Sequence, residues 1–210
     1  MSMLRIGILV IGVVLGMNLS GQNTQFYVNE NGDITHFDTL DFKDIPINTP
    51  GIIGTERKGE KGFVNFAEGS GWKNVDNDHH VDGYVRTLSS NPWVFPIGDN
   101  GRYRPVGITG GANTNAAYFA VDPSLARTSA VLGGDEPILP TTGPFPTTSR
   151  NSQLMEVSKN EYWDINGQVP TKITLTYDDI SEVYDLTNAN IYALNSGMGW
   201  CPMGTYPFCD

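Results

Sequence analysis

Val81-Asp-Gly-Tyr-Val-Arg86, followed by Trp93-Val-Phe-Pro-Ile-Gly-Asp-Asn-Gly-Arg-Tyr-Arg-Pro105, is the stretch whose reading decides the fold. Val94, Phe95 and Ile97 suit a core, and Gly98-Asp-Asn-Gly101 supplies a tight reversal between two extended runs. The stretch reads as strand, turn, strand. It holds no nucleophile–base pair, no phosphate loop and no metal-ligand spacing, so it reads as framework rather than chemistry.

The same pattern continues on both sides. Residues 25–48 alternate, with Phe26 and Val28 on one strand face and Ile34, His36 and Asp38 opposite Thr35, Phe37 and Thr39. Thr55 to Gly62 (TERKGEKG) reads as a charged turn, Gly62 to Phe66 as a strand, and Gly69-Ser-Gly-Trp-Lys73 as a loop. Asn74 to His80 (NVDNDHH) reads as a solvated acidic loop. Further on, Ala116–Val121, Leu154–Ser158, Glu161–Ile165, Lys172–Tyr177 and Asn190–Leu194 have strand composition, the fourth with Ile173, Leu175 and Tyr177 on one side. Residues 123–150, rich in Pro, Gly, Ser and Thr, read as a long surface loop. Only Ser124–Val131 and Ile180–Thr187 suit a helical turn. The expected class is all-β: an antiparallel β-sandwich or jelly roll of about ten short strands with little helix. No repeat of fixed period stands out.

Gly and Pro make up 37 of the 210 residues, above average and below the low-complexity range, as many short strands joined by turns require. Met1 to Arg5 is a short basic segment, Ile6 to Met17 is an apolar run of 12, and Asn18 to Gln22 is small and polar. This is the layout of a secretory signal peptide, and it falls short of the about 20 apolar residues a span needs. The expected organisation is a signal peptide over 1–22, a strand-rich region over 23–77 and the main sandwich over 78–210, with one continuous domain over 23–210 as the alternative. Cleavage near residue 22 removes Arg5 and no acid, leaving 12 basic against 23 acidic residues, a net charge of −11. Such a surface disfavours nucleic acid and suits an exported protein with no transmembrane span in its mature chain. Cys201 and Cys209 are the only cysteines. In an oxidising compartment they can close a small loop as a disulfide; two free thiols are the plain alternative.

Four motifs in order support a resemblance: His80-Val-Asp-Gly-Tyr-Val85, Phe95-Pro-Ile-Gly-Asp-Asn-Gly-Arg-Tyr-Arg-Pro105, Val157-Ser-Lys-Asn-Glu-Tyr-Trp163 and Ile173-Thr-Leu-Thr-Tyr177. Together they resemble a β-sandwich module of secreted and cell-surface proteins of the Bacteroidota. Trp200 and Gly204 loosely match a later strand of the pattern. The resemblance covers about residues 78–204. It implies an outer-membrane or extracellular location, export by the type IX secretion system and, for some members, an association with gliding motility. Such proteins usually continue into a C-terminal sorting domain, for which the last ten residues here (CPMGTYPFCD) are too few.

Few constellations carry chemistry. Asp76-Asn-Asp-His-His-Val-Asp82-Gly83 is the best candidate for Ca²⁺, through carboxylates at alternate positions. Counted from Asp78, an EF-hand loop would need an oxygen ligand where His80 stands and Glu where Ser89 stands, so that match fails. A solvated acidic turn is the plainer reading, and no cofactor is expected. His79 and His80 are adjacent and point to opposite faces of an extended chain; with His36 they are the only histidines. Glu161 and Asp164 flank Tyr162-Trp163 as a glycosidase pair would, but positions three apart in a strand face opposite sides. Trp163 is expected in the core with Tyr162 at its margin. No G-x-S-x-G element occurs, and Gly107-Ile-Thr-Gly-Gly111 lacks the Lys and helix of a phosphate loop. Trp72 and Trp200, in Gly-rich settings, are the freest aromatics for stacking on sugar rings.

These readings converge on a non-enzymatic, secreted or cell-surface protein with a structural or adhesive role, such as a subunit of an extracellular filament or surface layer. Its expected partners are copies of itself or other surface proteins. The alternative is a carbohydrate-binding module of the cell surface.

Overall fold

A computed structural model describes residues 26–28, 32–45, 51–57, 62–124, 147–148, 157–177, 192–195 and 199–202. The protein is all-β. Its first coil is β1 (Phe26–Val28), β2 (Asp33–His36) and β3 (Thr39–Asp41), the last running into a 3₁₀ turn, Phe42–Asp44. A second coil follows: β4 (Ile53–Thr55), β5 (Phe63–Phe66) and β6 (Gly71–Lys73). Then come β7 (Val81–Asp82), β8 (Val85–Thr87), β9 (Trp93–Phe95), β10 (Ile97–Asp99), β11 (Arg102–Tyr103), β12 (Val106–Ile108) and β13 (Thr114–Phe119). The described chain ends with β14 (Tyr162–Asn166), β15 (Ile173–Leu175), β16 (Tyr192–Asn195) and β17 (Gly199–Pro202).

The pairing is mixed. β1, β4, β7 and β10 stack as a parallel ladder, with Phe26, Ile53, Val81 and Ile97 in one row. β2, β5 and β8 form a second parallel ladder, and β3 with β6 a third. The chain therefore visits three sheets in the same order twice and begins a third round, as a β-helix does. A parallel pair needs a crossover of a dozen or more residues. Here the other two strands of each coil provide it. Antiparallel strands then close the far end: β11 on β10, β13 and β14 on β8, and a separate sheet ordered β15-β12-β9. Antiparallel pairing thus governs the second half, whereas the first half winds in parallel. Seventeen strands are described, more than the about ten expected from the strand-forming runs.

The coil does not repeat at a fixed period. Register partners lie 27 residues apart from Phe26 to Ile53, 32 from Thr39 to Gly71, and only 16 from Val81 to Ile97. Strands of three or four residues at such uneven spacing leave no periodic signature in the sequence.

One hydrophobic core fills the coil. Its central row crosses the second sheet as Ile34, Val64, Val85, Ala116 and Ile165, each opposite the next. On the other face of that sheet runs a polar row, Thr35, Asn65, Arg86, Asn115 and Asn166. It is tied in part by Asn65 Nδ2 donating to Thr35 Oγ1 (3.4 Å) and Arg86 Nε donating to Asn115 Oδ1 (2.8 Å). Beside it sits a second apolar cluster of Phe63, Tyr84, Ala117, Phe119, Val121 and Tyr162. The core joins strands before and after residue 78: β4 pairs with β7 and β5 with β8.

The deciding hairpin forms as read. Phe95 and Ile97 are fully buried, and Asn100 (φ 53°) and Gly101 (φ 69°) turn β10 into β11 in the left-handed region that an Asn-Gly pair favours. Val94 departs from expectation. It lies 44% exposed, because its neighbours Trp93 and Phe95 take the inward positions of β9. Lys73, Trp72 and Gly71, read as loop, form β6. The expected strand over 154–158 has no strand assignment at Val157 and Ser158, and its other residues lie outside the described ones. So do the signal peptide over 1–22, most of the loop over 123–150, Ile180–Thr187 and all but Ser124 of the first helical candidate. No helix among the described residues is long and apolar enough to cross a membrane.

Candidate functional site

The most unusual feature of the interior is a charged cluster between the coil and its antiparallel cap. Thr55 ends β4, and two positions on Arg57 turns inward with no exposed surface. Its Nε and Nη2 donate to Asp82 Oδ1 at 3.0 and 2.6 Å, Nη2 also to the Gly98 carbonyl (3.1 Å), and Nη1 to the Tyr118 carbonyl (2.5 Å). One guanidinium thereby ties β7, β10 and β13 together. Its Cζ also lies 4.6 Å from the centre of the Phe119 ring. Burial disfavours its charge, but Asp82 and Asp99 outweigh that cost and hold it above its ordinary pKa. Asp99, equally buried, accepts from the Ala120 amide (2.9 Å) and so joins β10 to the end of β13.

His80 belongs to this cluster. Its side chain is fully buried, Nδ1 faces the Asp76 carbonyl at 3.2 Å, and Nε2 has no partner among the described residues. The ring packs against the backbone of Gly98, where an added Cβ would meet His80 Cδ2 at 2.5 Å. Desolvation lowers its pKa to about 4. His79 has Nδ1 2.7 Å from Asp76 Oδ1 and lies against Gly51 rather than Gly98, so the two rings pack on different segments.

A second buried group adjoins the first through Tyr118. Its hydroxyl donates to Glu161 Oε2 (2.7 Å), which also accepts from Arg104 Nε (3.3 Å). Burial, with Glu161 beside it, pushes the Tyr118 hydroxyl well above the usual tyrosine range. Asp164, on the opposite face, accepts from the Tyr84 hydroxyl (2.5 Å). The strand separates the two carboxylates as the spacing of Glu161 and Asp164 implied. Trp163 is half-buried and packs against the main core as expected, while Tyr162, expected at the margin, is buried at 7% exposure in the second cluster. β14 turns Tyr162 onto Phe119, with parallel rings 4.7 Å apart, and sets Trp163 against Tyr118 on the face of the main core.

The acidic loop is not simply solvated. Asp76 Oδ1 accepts from the Asp78 amide (2.9 Å) and faces His79, which draws its pKa down. Asn77 Oδ1 accepts from the Tyr103 amide (2.9 Å), and Asp82 is turned inward to Arg57. Asp76 and Asp82 thus serve different partners, and the described residues hold no group of three or more His, Cys, Asp or Glu placed for a metal ion. Trp72 is half-buried against the core and donates from Nε1 to the Val94 carbonyl (2.7 Å). Cys201 lies on β17, but its side chain, that of Trp200 and the whole of Cys209 fall outside the described residues.

Sequence reading missed Arg57 because it sits in the charged run TERKGEKG, and it placed Asp82 in the strand stretch and the candidate Ca²⁺ segment without finding its partner. The available signal was weak: Asp82 lies between Val81 and Gly83-Tyr84-Val85, inside an apolar strand.

No protein-family model matches the chain, and no curated protein and no solved structure is significantly similar to it.

Proposed function

We propose that the chain is a non-enzymatic, secreted or cell-surface β-protein with a structural or adhesive role, joined through its sheet edges to copies of itself or to other surface proteins. One observation carries the reading. Among the described residues, all three strands of the first coil lie at the edge of their sheets: β1 ends the first ladder, β2 the second, and β3 pairs only with β6. Edge strands offer a row of backbone donors and acceptors to another chain. Phe37, between β2 and β3, is 79% exposed at the same end. The charged side chains of the interior support the reading in a second way, since Arg57, Asp82, Arg104 and Glu161 link separate strands. The signal-peptide layout and the resemblance over residues 78–204 favour a place outside the cell.

Sedimentation velocity and electron microscopy on residues 23–210 test it. Concentration-dependent assembly, weakened by Phe37→Asp, is the expected result. A strict monomer at several hundred micromolar overturns it. Retention on immobilised polysaccharide that is lost in Trp72→Ala or Trp200→Ala would favour the carbohydrate-binding reading instead.

A further inference from the structure

We propose that His80 is an acid-sensitive latch, whose protonation releases the hairpin β10–β11 from β7 and opens the capped end of the coil while β13 and β14 remain paired. The inference rests on the interior geometry and is independent of the proposed role outside the cell.

The ring sits at the seam that the latch would open. β7 and β10 share only two register pairs, Val81 with Ile97 and Asp82 with Gly98. The His80 ring lies on the Gly98 backbone, and Arg57 grips the Gly98 carbonyl from the same cluster. A proton on Nε2 would put a donor where no described acceptor stands. It would also place a second cation in a dry interior that already holds Arg57.

Several charged groups bear on the ring. Arg57, following β4, opposes its protonation, whereas Asp99 on β10 and Asp76 in the preceding turn favour it. Asp82 on β7 is engaged with Arg57. From β11, Arg102 brings its backbone carbonyl against the same Gly98. His79 is paired with Asp76 and lies against Gly51, before β4. Burial outweighs the two favourable carboxylates, so the neutral ring belongs to the closed form. A histidine whose folded pKa is depressed contributes full stability above its unfolded value near 6.5 and loses it as pH falls toward about 4.

Hydrogen exchange on residues 23–210, corrected for intrinsic rates, tests the latch at pH 7.0 and 4.5. Protection at Ile97, Gly98 and Tyr103 should fall roughly tenfold to a hundredfold, the range that the depressed histidine allows. Ala117 to Phe119 should keep their protection. His80→Gln, a neutral side chain of similar reach, should abolish the difference between the two regions. Equal loss in both regions, no loss in either, or an unchanged acid response in His80→Gln would overturn the proposal. Should that variant not fold, ring titration of the wild-type chain decides: His80 titrating near 6.5 sinks the idea, and His80 titrating near 4 supports it.

Discussion

Arg57 and Asp82 stand 25 positions apart and meet at 2.6 Å with neither side chain exposed to water. The pair joins the first strand of the second coil, just past its end, to the first strand of the third. Because Arg57 also reaches the carbonyls of Gly98 and Tyr118, a single residue measures whether coil and cap are correctly seated.

Removing one partner leaves the other buried and uncompensated. Arg57→Met should therefore destabilise the fold by about 3–5 kcal/mol, read by urea unfolding, with a Tm lower by roughly 6–20 °C. Arg57→Met combined with Asp82→Leu should recover part of that loss, since no charge is then stranded. A double variant as unstable as the sum of the singles would mean that the two residues act separately.

Asp164 carries a pH signature of opposite sign to that of His80. Its carboxyl is desolvated, and its pKa is raised despite hydrogen bonds from Tyr84 and Asn166. A carboxylate with a raised folded pKa favours the protonated fold, so its contribution falls as pH rises through the unfolded value near 3.9. Asp164→Asn keeps an acceptor for Tyr84 and should raise Tm at pH 7 relative to wild type. The advantage should shrink at pH 3, and thermal melts at the two pH values check it.

Gly98 and Gly83 tolerate no side chain. A Cβ at Gly98 would collide with the Arg102 carbonyl and the His80 ring, and one at Gly83 (φ 139°) with Thr55 Oγ1, the acceptor of the Tyr84 amide. Ala at either position should cost several kcal/mol, on the scale of severe overpacking. Gly101→Ala meets no neighbour and suffers only its positive φ, so about 1 kcal/mol is expected from denaturant midpoints.

Trp72 separates a packing role from a ligand role. Trp72→Phe removes the Nε1 bond to Val94 and leaves most of the ring, so a stability loss of about 1 kcal/mol is expected. Binding to immobilised polysaccharide, measured on the same variant, should not change. A loss of binding without a loss of stability would reverse that assignment.

The hairpin around Asn100-Gly101 was legible because a turn of that kind depends on two adjacent residues and their tolerance of positive φ. The strand character of Gly62–Phe66, Ala116–Phe119 and Ile173–Leu175 was legible for a similar reason, from branched and aromatic residues within a few positions. The parallel winding was not. Whether Ile53 pairs with Val81 or with some other strand is set by contacts 28 residues away, and the coils differ too much in length to leave a repeat. Arg57 was hidden in a charged run whose other members give no hint that one of them turns inward. Val94 and Tyr162 were misplaced because alternation names two faces without saying which of them meets the core, or that both do.

The sequence by itself determined that this chain forms many short strands separated by turns, since strand propensity and turn geometry act over two to six residues. Only the tertiary structure decided the direction of pairing, the burial of Arg57, Asp82 and His80, and the face each aromatic presents. Those outcomes depend on which distant segment supplies the compensating charge, the backbone carbonyl or the apolar surface.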